Sequence, residues 1–234
     1  MIYMVLGLLV ATVCVVLGWH YLRSYRETTD AMALLMEKGL PQVFTDRMNT
    51  IVSERNLGGH EPMILISMAA ATSLSGEFQD SIVQLEKIET AHFKSEERGY
   101  YYTCLAHSLL LMDAVDQADE IFKHHIGEMI AAERNSMARN GIKTVKALME
   151  MKLGHMDHAE KLFTELYQQR LTNLERAMVA YWMGNLMERN NRPGALDYYR
   201  ECQTRAGETI YQTWSSRKLE LSQSDYGKLA YGKA

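Results

Sequence analysis

Apolar and polar positions along the chain follow two different patterns. Residues 2–19 form an uninterrupted run without a charged side chain, and the charge-free stretch continues through Leu22. Further along, apolar residues recur every three or four positions in stretches separated by short turn signals. This second spacing predicts amphipathic helices joined by tight turns. We therefore expect an apolar N-terminal helix followed by an all-α body.

The N-terminal run is long enough to cross a bilayer as a helix. At about 1.5 Å per residue it would span roughly 27–31 Å, which is close to the thickness of the hydrocarbon core. Tyr3 and Trp19 lie near its ends, where interfacial aromatic residues are favoured. The alternatives are a buried core helix and a cleavable signal peptide, but no Lys or Arg precedes the run. We predict that residues 1–22 form an uncleaved transmembrane signal anchor.

Charge asymmetry around this run predicts the membrane topology. Arg23 and Arg26 follow it directly, whereas only the α-amino group precedes it. By the positive-inside rule, the C-terminal body faces the cytoplasm. Cys104 and Cys202 lie among apolar helix positions, as expected of reduced thiols in that compartment. The sequence thus predicts a single-pass membrane protein with a cytoplasmic body.

A period of about 37 residues runs through the body of the chain. Turn residues spaced 37, 37, 41 and 36 positions apart are followed, at offsets of 5, 9 and 12, by apolar or small residues in most cases. Offsets that differ by four and three place these side chains on one stripe of a helix. The turn residues are Gly39, Gly76, Asp113, Gly154 and Asn190. We interpret the period as a repeated helical hairpin.

One repeat unit resembles a known motif. The segment Gly154–Ala159 with Phe163 is similar to the second helix of the tetratricopeptide repeat (TPR) family, G-x-Y-x-x-A-x-x-x-F/Y-x-x-A, and Gly76–Phe78 with Leu85 fits the same pattern. The resemblance covers about residues 25–204. It implies an all-α, TPR-like solenoid of about five α-α hairpins, here preceded by one transmembrane helix. A nonrepeating helical bundle is the alternative.

The predicted organisation has four parts. Residues 1–22 are the transmembrane anchor, and residues 23–204 are the TPR-like repeat domain. Residues 205–223 are predicted to form a C-terminal capping helix that covers the open end of the stack, with Ile210, Trp214 and Leu221 turned inward. Residues 224–234 are small and polar, so we expect a flexible tail.

The resemblance also implies where a partner binds, because in this family the first helix of each hairpin lines a concave groove. The groove is rather apolar and lacks the Lys and Arg ring with which some family members clamp a chaperone C terminus. A protein partner that offers an apolar helix or an extended segment is therefore implied. For each position, the alternative is packing against the neighbouring hairpin. The implied partner-binding residues are Met63, Ile66, Ala70, Tyr100, Thr103, His107, Thr144, Leu148, Ala177, Ala180 and Gly184.

Composition and motifs exclude several classes of function. A net charge of −4 and a pI near 6.1 argue against a nucleic-acid binder. The chain carries no P-loop, dinucleotide fingerprint, nucleophile elbow or zinc-protease motif, so we expect no cofactor and no small-molecule substrate. His155 and His158 share a helical spacing but have no evident third ligand, and the adjacent His124 and His125 face different directions. We therefore predict neither a metal site nor catalytic residues.

These observations lead to a functional hypothesis. We expect a non-enzymatic, membrane-anchored scaffold that recruits a protein partner through a concave helical groove. One alternative keeps the fold and inverts the topology, giving an exported, membrane-tethered repeat protein with a chaperone-like role. A helical metal-dependent enzyme is disfavoured because no convergent set of ligands or acid–base groups is visible.

Overall fold

The computed structural model describes residues 25–54 and 61–231, and within these ranges every regular element is an α-helix. The predicted anchor, residues 1–22, lies outside the described residues. Among the described helices, none is long and apolar enough to cross a membrane. In chain order the helices are α1 (residues 25–36), α2 (Pro41–Glu54), α3 (Glu61–Leu74), α4 (Phe78–Glu86), α5 (Ser95–Leu111), α6 (Val115–Ala132), α7 (Ser136–Lys152), α8 (Met156–Tyr167), α9 (Asn173–Arg189), α10 (Ala195–Arg205) and α11 (Ile210–Tyr231).

The helices form a stack of hairpins. Helix α3 packs on α4, α5 on α6, α7 on α8 and α9 on α10, while α1 and α2 are joined by the turn at Gly39. The second helix of each hairpin also contacts the first helix of the next, and the first helices α3, α5, α7 and α9 contact one another in sequence. Like-oriented hairpins in register are the architecture of a helical-repeat solenoid. The predicted all-α hairpin stack is confirmed.

The turns explain why the chain reverses where the period predicts. Gly39, Gly76, Asp113 and Gly154 have positive φ angles of 62°, 96°, 66° and 88°. This left-handed conformation ends a helix, and glycine adopts it without steric cost. The period predicts the fifth turn at Asn190, but the positive φ angles of the connection between α9 and α10 are at Asn191 and Gly194. The assignment is wrong by one residue because the Asn190 N–H still bonds the Leu186 carbonyl and prolongs α9.

The repeated apolar stripe on the second helices forms the core. Phe44, Met48 and Ile51 of α2 are buried, as are Phe163 and Leu166 at equivalent positions of α8. Each such side chain stabilises the fold by about 1.5–3 kcal/mol relative to full exposure. Because a stripe is covered partly by the next hairpin, no hairpin buries its apolar face alone.

One hairpin depends on a close approach between its two helices. A Cβ atom added to Gly99 of α5 would overlap the Glu128 carbonyl of α6 and lie 2.8 Å from the Ala132 Cβ. Gly99→Ala should therefore lower the free energy of unfolding by about 1–3 kcal/mol, since the two backbones must separate. Gly141→Ala, where a Cβ meets nothing within 4 Å, should raise it by about 1 kcal/mol through helix propensity. Urea unfolding of both variants checks this, and equal effects would contradict the close packing.

The C-terminal helix is longer than the sequence pattern indicates. Helix α11 runs from Ile210 to Tyr231 and so includes residues 224–231. That residues 224–234 form a flexible tail stays a prediction. Residues 232–234 lie outside the described residues. This segment contains no proline and includes Lys228, Leu229 and Ala230, which are good helix formers.

The end of the stack meets its beginning. In a linear solenoid each unit contacts only its neighbours. Here the Glu208 N–H, in the connection between α10 and α11, donates a hydrogen bond to the Gly39 carbonyl in the first hairpin at 2.8 Å. The Asn173 side-chain amide, at the start of α9, donates to the Glu37 carbonyl at 3.0 Å. The stack therefore curves until its fifth hairpin reaches the first.

Candidate functional site

Helix α11 lies across the inner side of this curve. The Ile210 Cδ1 atom would lie 3.0 Å from a Cβ added to Gly76 in the second hairpin. In the third hairpin, His107 Nε2 is hydrogen-bonded to the Tyr211 hydroxyl at 3.2 Å. These contacts place the start of α11 against the second and third hairpins, in addition to the fifth. The side that the sequence predicts to be an open groove is thus occupied there by the chain's own C-terminal helix.

Aromatic packing holds α11 in place. The rings of Tyr181 and Trp182 on α9 lie 4.9–6.4 Å, centroid to centroid, from each other and from those of Tyr211 and Trp214 on α11. Tyr211 has no exposed surface, and burial raises the pKa of its hydroxyl far above the ordinary value. Edge-to-face pairs at these distances stabilise beyond their buried area. That residues 205–223 cap the open end of the stack stays a prediction, and the contacts of α11 extend to the second and third hairpins.

His107 is the polar centre of the inner side. It lies on α5, is partly enclosed, and has Tyr211 as its hydrogen-bond partner. Burial lowers the pKa of His107 to about 4, because the charged imidazolium would lose its hydration. The neutral ring is thus the form that the folded chain accommodates.

This environment predicts a pH-dependent stability. The unfolded chain protonates His107 near pH 6.5 and the folded chain only near pH 4, so stability is lost as the pH falls from about 6.5 toward 4. Because the ring is partly exposed, we expect His107 to contribute a loss of about 1–2 kcal/mol between pH 7 and pH 5. In His107→Gln that part of the pH dependence should disappear. Urea unfolding at both pH values measures it, and identical pH dependence in both proteins would contradict the prediction.

Most of the residues implied to line the groove are buried between helices. Gly184 faces the α10 partner in its own hairpin, where an added Cβ would lie 2.6 Å from the Tyr199 ring. The Thr144 hydroxyl donates to the Asn140 carbonyl of its own helix at 2.8 Å. These positions pack against neighbouring helices instead of facing an open groove. The buried members of the set are Ile66, Thr103, Thr144, Leu148, Ala177, Ala180 and Gly184.

The implied groove positions are buried because the first helix of a hairpin is covered on several sides. It packs on its own partner, on the preceding second helix and on neighbouring first helices, so apolar periodicity cannot identify which stripe faces the inner side. The four partly exposed members are Met63, Ala70, Tyr100 and His107. Met63, Ala70 and Tyr100 pack on one apolar cluster around Ile66, while His107 lies apart from this cluster and contacts Tyr211 of α11. That these four bind a partner stays a prediction.

The histidine pair on α8 has a partner that sequence reasoning missed. Glu150, on the preceding helix, accepts hydrogen bonds through Oε2 from Nδ1 of His155 at 2.8 Å and of His158 at 3.2 Å. Partial burial opposes ionisation, but the two imidazole contacts lower the pKa of Glu150 overall. Among the described residues no group of three His, Cys, Asp or Glu side chains is arranged to hold a metal ion. The five-residue separation across a turn was the only sequence signal for this contact.

A second surface feature is a cleft between the second helices α4 and α6, with α5 beneath it. It has a volume of about 360 Å³. Aliphatic side chains from all three helices line it, and two carboxylates lie at its edges. The lining residues are Ile82, Glu86, Leu105, Leu109, Gln117, Glu120, Ile121, His124 and His125. No cation is present among them.

Helix α6 bends beside this cleft. His125 has non-helical backbone angles of φ −122° and ψ 15°. Its ring stacks on Tyr102 of α5 with the centroids 3.5 Å apart. Its Nδ1 is buried and finds no hydrogen-bond partner in the described part of the chain; Glu128 Oε1 is 3.9 Å away. His124 Nδ1 instead contacts the Glu120 carbonyl at 2.7 Å, so the adjacent histidines do have different partners, although both border the cleft.

Comparison with known proteins identifies the repeat. The family model described as the SusR N-terminal TPR domain matches residues 43–201, which run from α2 into α10. No curated protein and no solved structure matches the chain. The matched segment includes the cleft between α4 and α6 and leaves out α11.

Proposed function

Because the chain belongs to the family of SusR N-terminal TPR domains, we propose that it is a scaffold that binds a protein partner and holds it at a membrane. The observation that carries this proposal is the stack of family-type hairpins, which presents an extended surface built from several layers. Repeat domains of this kind are typically non-catalytic. The partner would offer an apolar helix or an extended segment.

The inner side offers a restricted contact area in this proposal. Helix α11 covers the part near His107, and we propose that the partner contacts the partly exposed positions Met63, Ala70 and Tyr100. To test them, a photo-crosslinking residue is placed at Met63 in the full chain in cells, with Leu153, an exposed position in a turn, as the control. We expect one partner protein to be captured reproducibly from Met63 and not from Leu153. Equal adducts at both positions, or none at either in folded protein, would count against this inner contact.

The membrane tether rests on residues 1–22. An uncharged run of 18 residues matches the thickness of a bilayer, and Arg23 and Arg26 follow it. Leu9→Arg with Val13→Arg should release the protein from membranes, because each arginine at the centre of a span costs about 2.5–3.5 kcal/mol. The matched control is Leu9→Ile with Val13→Leu. The proposed tether predicts that alkaline carbonate extracts the arginine variant from membranes and leaves the wild type and the control variant bound. Extraction of the wild type and both variants would refute the tether.

We propose that the body lies in the cytoplasm. In the exported, chaperone-like alternative the body lies on the other side of the membrane. Cys104 and Cys202 are buried, so an impermeant thiol reagent would not report on either compartment. Asn49→Cys provides an exposed thiol on α2. We expect it to be labelled only after the cells are opened. Labelling in intact cells would favour the exported alternative.

A further inference from the structure

We propose that the cleft between α4 and α6 is a docking surface for a segment of a partner protein that carries aliphatic side chains flanked by Lys or Arg. This inference rests on the proposed scaffold function and names the chemistry of its partner. It places binding on the outer helices, away from the inner side that α11 occupies.

The floor of the cleft contains four aliphatic side chains among polar ones and is accessible from outside. Leu105 and Ile121 are partly exposed, and they lie beside the buried side chains of Ile82 and Leu109. Val83, next to Ile82 on α4, is also an exposed aliphatic residue. Burying aliphatic side chains of a partner against this floor removes apolar surface from water on both sides. The shape and lining therefore suit short aliphatic anchors inserted between the two helices.

The charge at the edges selects a basic segment. Glu86 on α4 and Glu120 on α6 are both exposed and border the cleft from opposite sides. The nearby cation Lys123 on α6 is already paired with Asp119 in the same helix. A segment with Lys or Arg on either side of its aliphatic anchors would place each cation near a carboxylate. Such complementarity speeds association and excludes acidic partners.

The bend at His125 adds a polar anchor point. The Nδ1 atom is buried without a hydrogen-bond partner in the described residues, and the surrounding helix is not regular there. A buried polar atom without a partner is unfavourable, and a donor or acceptor from a bound segment would remove that cost. His125 therefore adds a polar ring to the cleft lining at the point where α6 bends.

The test uses a defined probe and the full chain in nanodiscs. The probe is a fluorescent 14-residue amphipathic helical peptide made of Leu and Lys, and its counterpart has Glu in place of Lys. Fluorescence anisotropy measures the affinity for wild type, for Glu86→Lys with Glu120→Lys, and for the charge-matched control Glu54→Lys with Glu165→Lys, whose sites are exposed on α2 and α8.

We expect the Lys peptide to bind wild type and the control equally, and the cleft variant at least tenfold more weakly. The Glu peptide should not bind wild type. Equal weakening in both variants, or equal binding of both peptides, would overturn the inference. Circular dichroism and the unfolding midpoint establish that each variant is folded.

Two further outcomes separate this inference from the proposed function. If sedimentation shows that wild type self-associates and the cleft variant does not, the occupant is a second copy of the chain and the partner assignment is overturned. A photo-crosslinker at Gln117 in cells should capture a protein rich in basic residues near its contact site. If Met63 captures a partner and Gln117 does not, the scaffold function stands and the cleft inference fails.

Discussion

Replacing Tyr211 by alanine is expected to lower the free energy of unfolding by about 3–5 kcal/mol. The side chain is fully buried at the start of α11, and its ring packs on Tyr181, Trp182 and Trp214. Its removal leaves a cavity at the junction of α11 with the repeats and takes away the hydrogen-bond partner of His107. Urea unfolding followed by circular dichroism measures the loss.

Two variants of the same helix serve as controls. Tyr211→Phe keeps the ring and removes only the hydroxyl, so it should cost about 0.5–1.5 kcal/mol. Leu221→Ala, whose side chain is 62% exposed, should change stability by less than about 0.5 kcal/mol. If Tyr211→Ala were as mild as Leu221→Ala, α11 would not be docked on the repeats in solution.

Replacing Gly207 by alanine should destabilise the protein by about 2–5 kcal/mol. Gly207 has φ +61°, and an added Cβ would lie 2.5 Å from the Gly39 carbonyl oxygen and 2.8 Å from the Gly39 Cα. The left-handed conformation costs a non-glycine residue about 1–2 kcal/mol, and overpacking costs a further 1–3 kcal/mol. Both obstructing atoms belong to the backbone, so no side-chain rotation relieves the clash.

Gly154→Ala separates the two contributions to this loss. Gly154 also has a positive φ, of +88°, but an added Cβ meets nothing within 4 Å. Its replacement should cost only the conformational part, about 1–2 kcal/mol. The difference between the two variants in thermal or urea unfolding measures the contact between the first hairpin and the α10–α11 connection. Equal losses would indicate that this contact is not made.

The closed curve changes how the family fold is used in this chain. An open solenoid exposes its concave side to ligands, whereas here α11 fills part of that side through contacts with the second, third and fifth hairpins. The outer helices are left as the more accessible surface, and the cleft between α4 and α6 lies among them. The membrane tether and the partner stay proposals that the experiments above address.

The sequence by itself determined the repeating unit. Residues such as Phe163 and Leu166 recur on one stripe because a helix repeats every 3.6 residues, and they are buried as expected. The turns at Gly39 and Gly154 followed from the need for a left-handed residue at a helix end. The Thr172–Glu175 capping box forms at the start of α9, since it depends only on neighbours in the chain.

Only the tertiary structure decided how the hairpins are arranged around one another. Each hairpin is rotated slightly relative to the one before it, and these rotations add up over the five hairpins. No local sequence pattern encodes the total rotation. That accumulated curvature brings Gly207 against Gly39 and places Tyr211 beside His107, while packing between helices buries Ala177 and most of the positions implied to line an open groove. Local periodicity reports which side chains avoid water, whereas the neighbour that covers each one is set by packing between residues far apart in the chain.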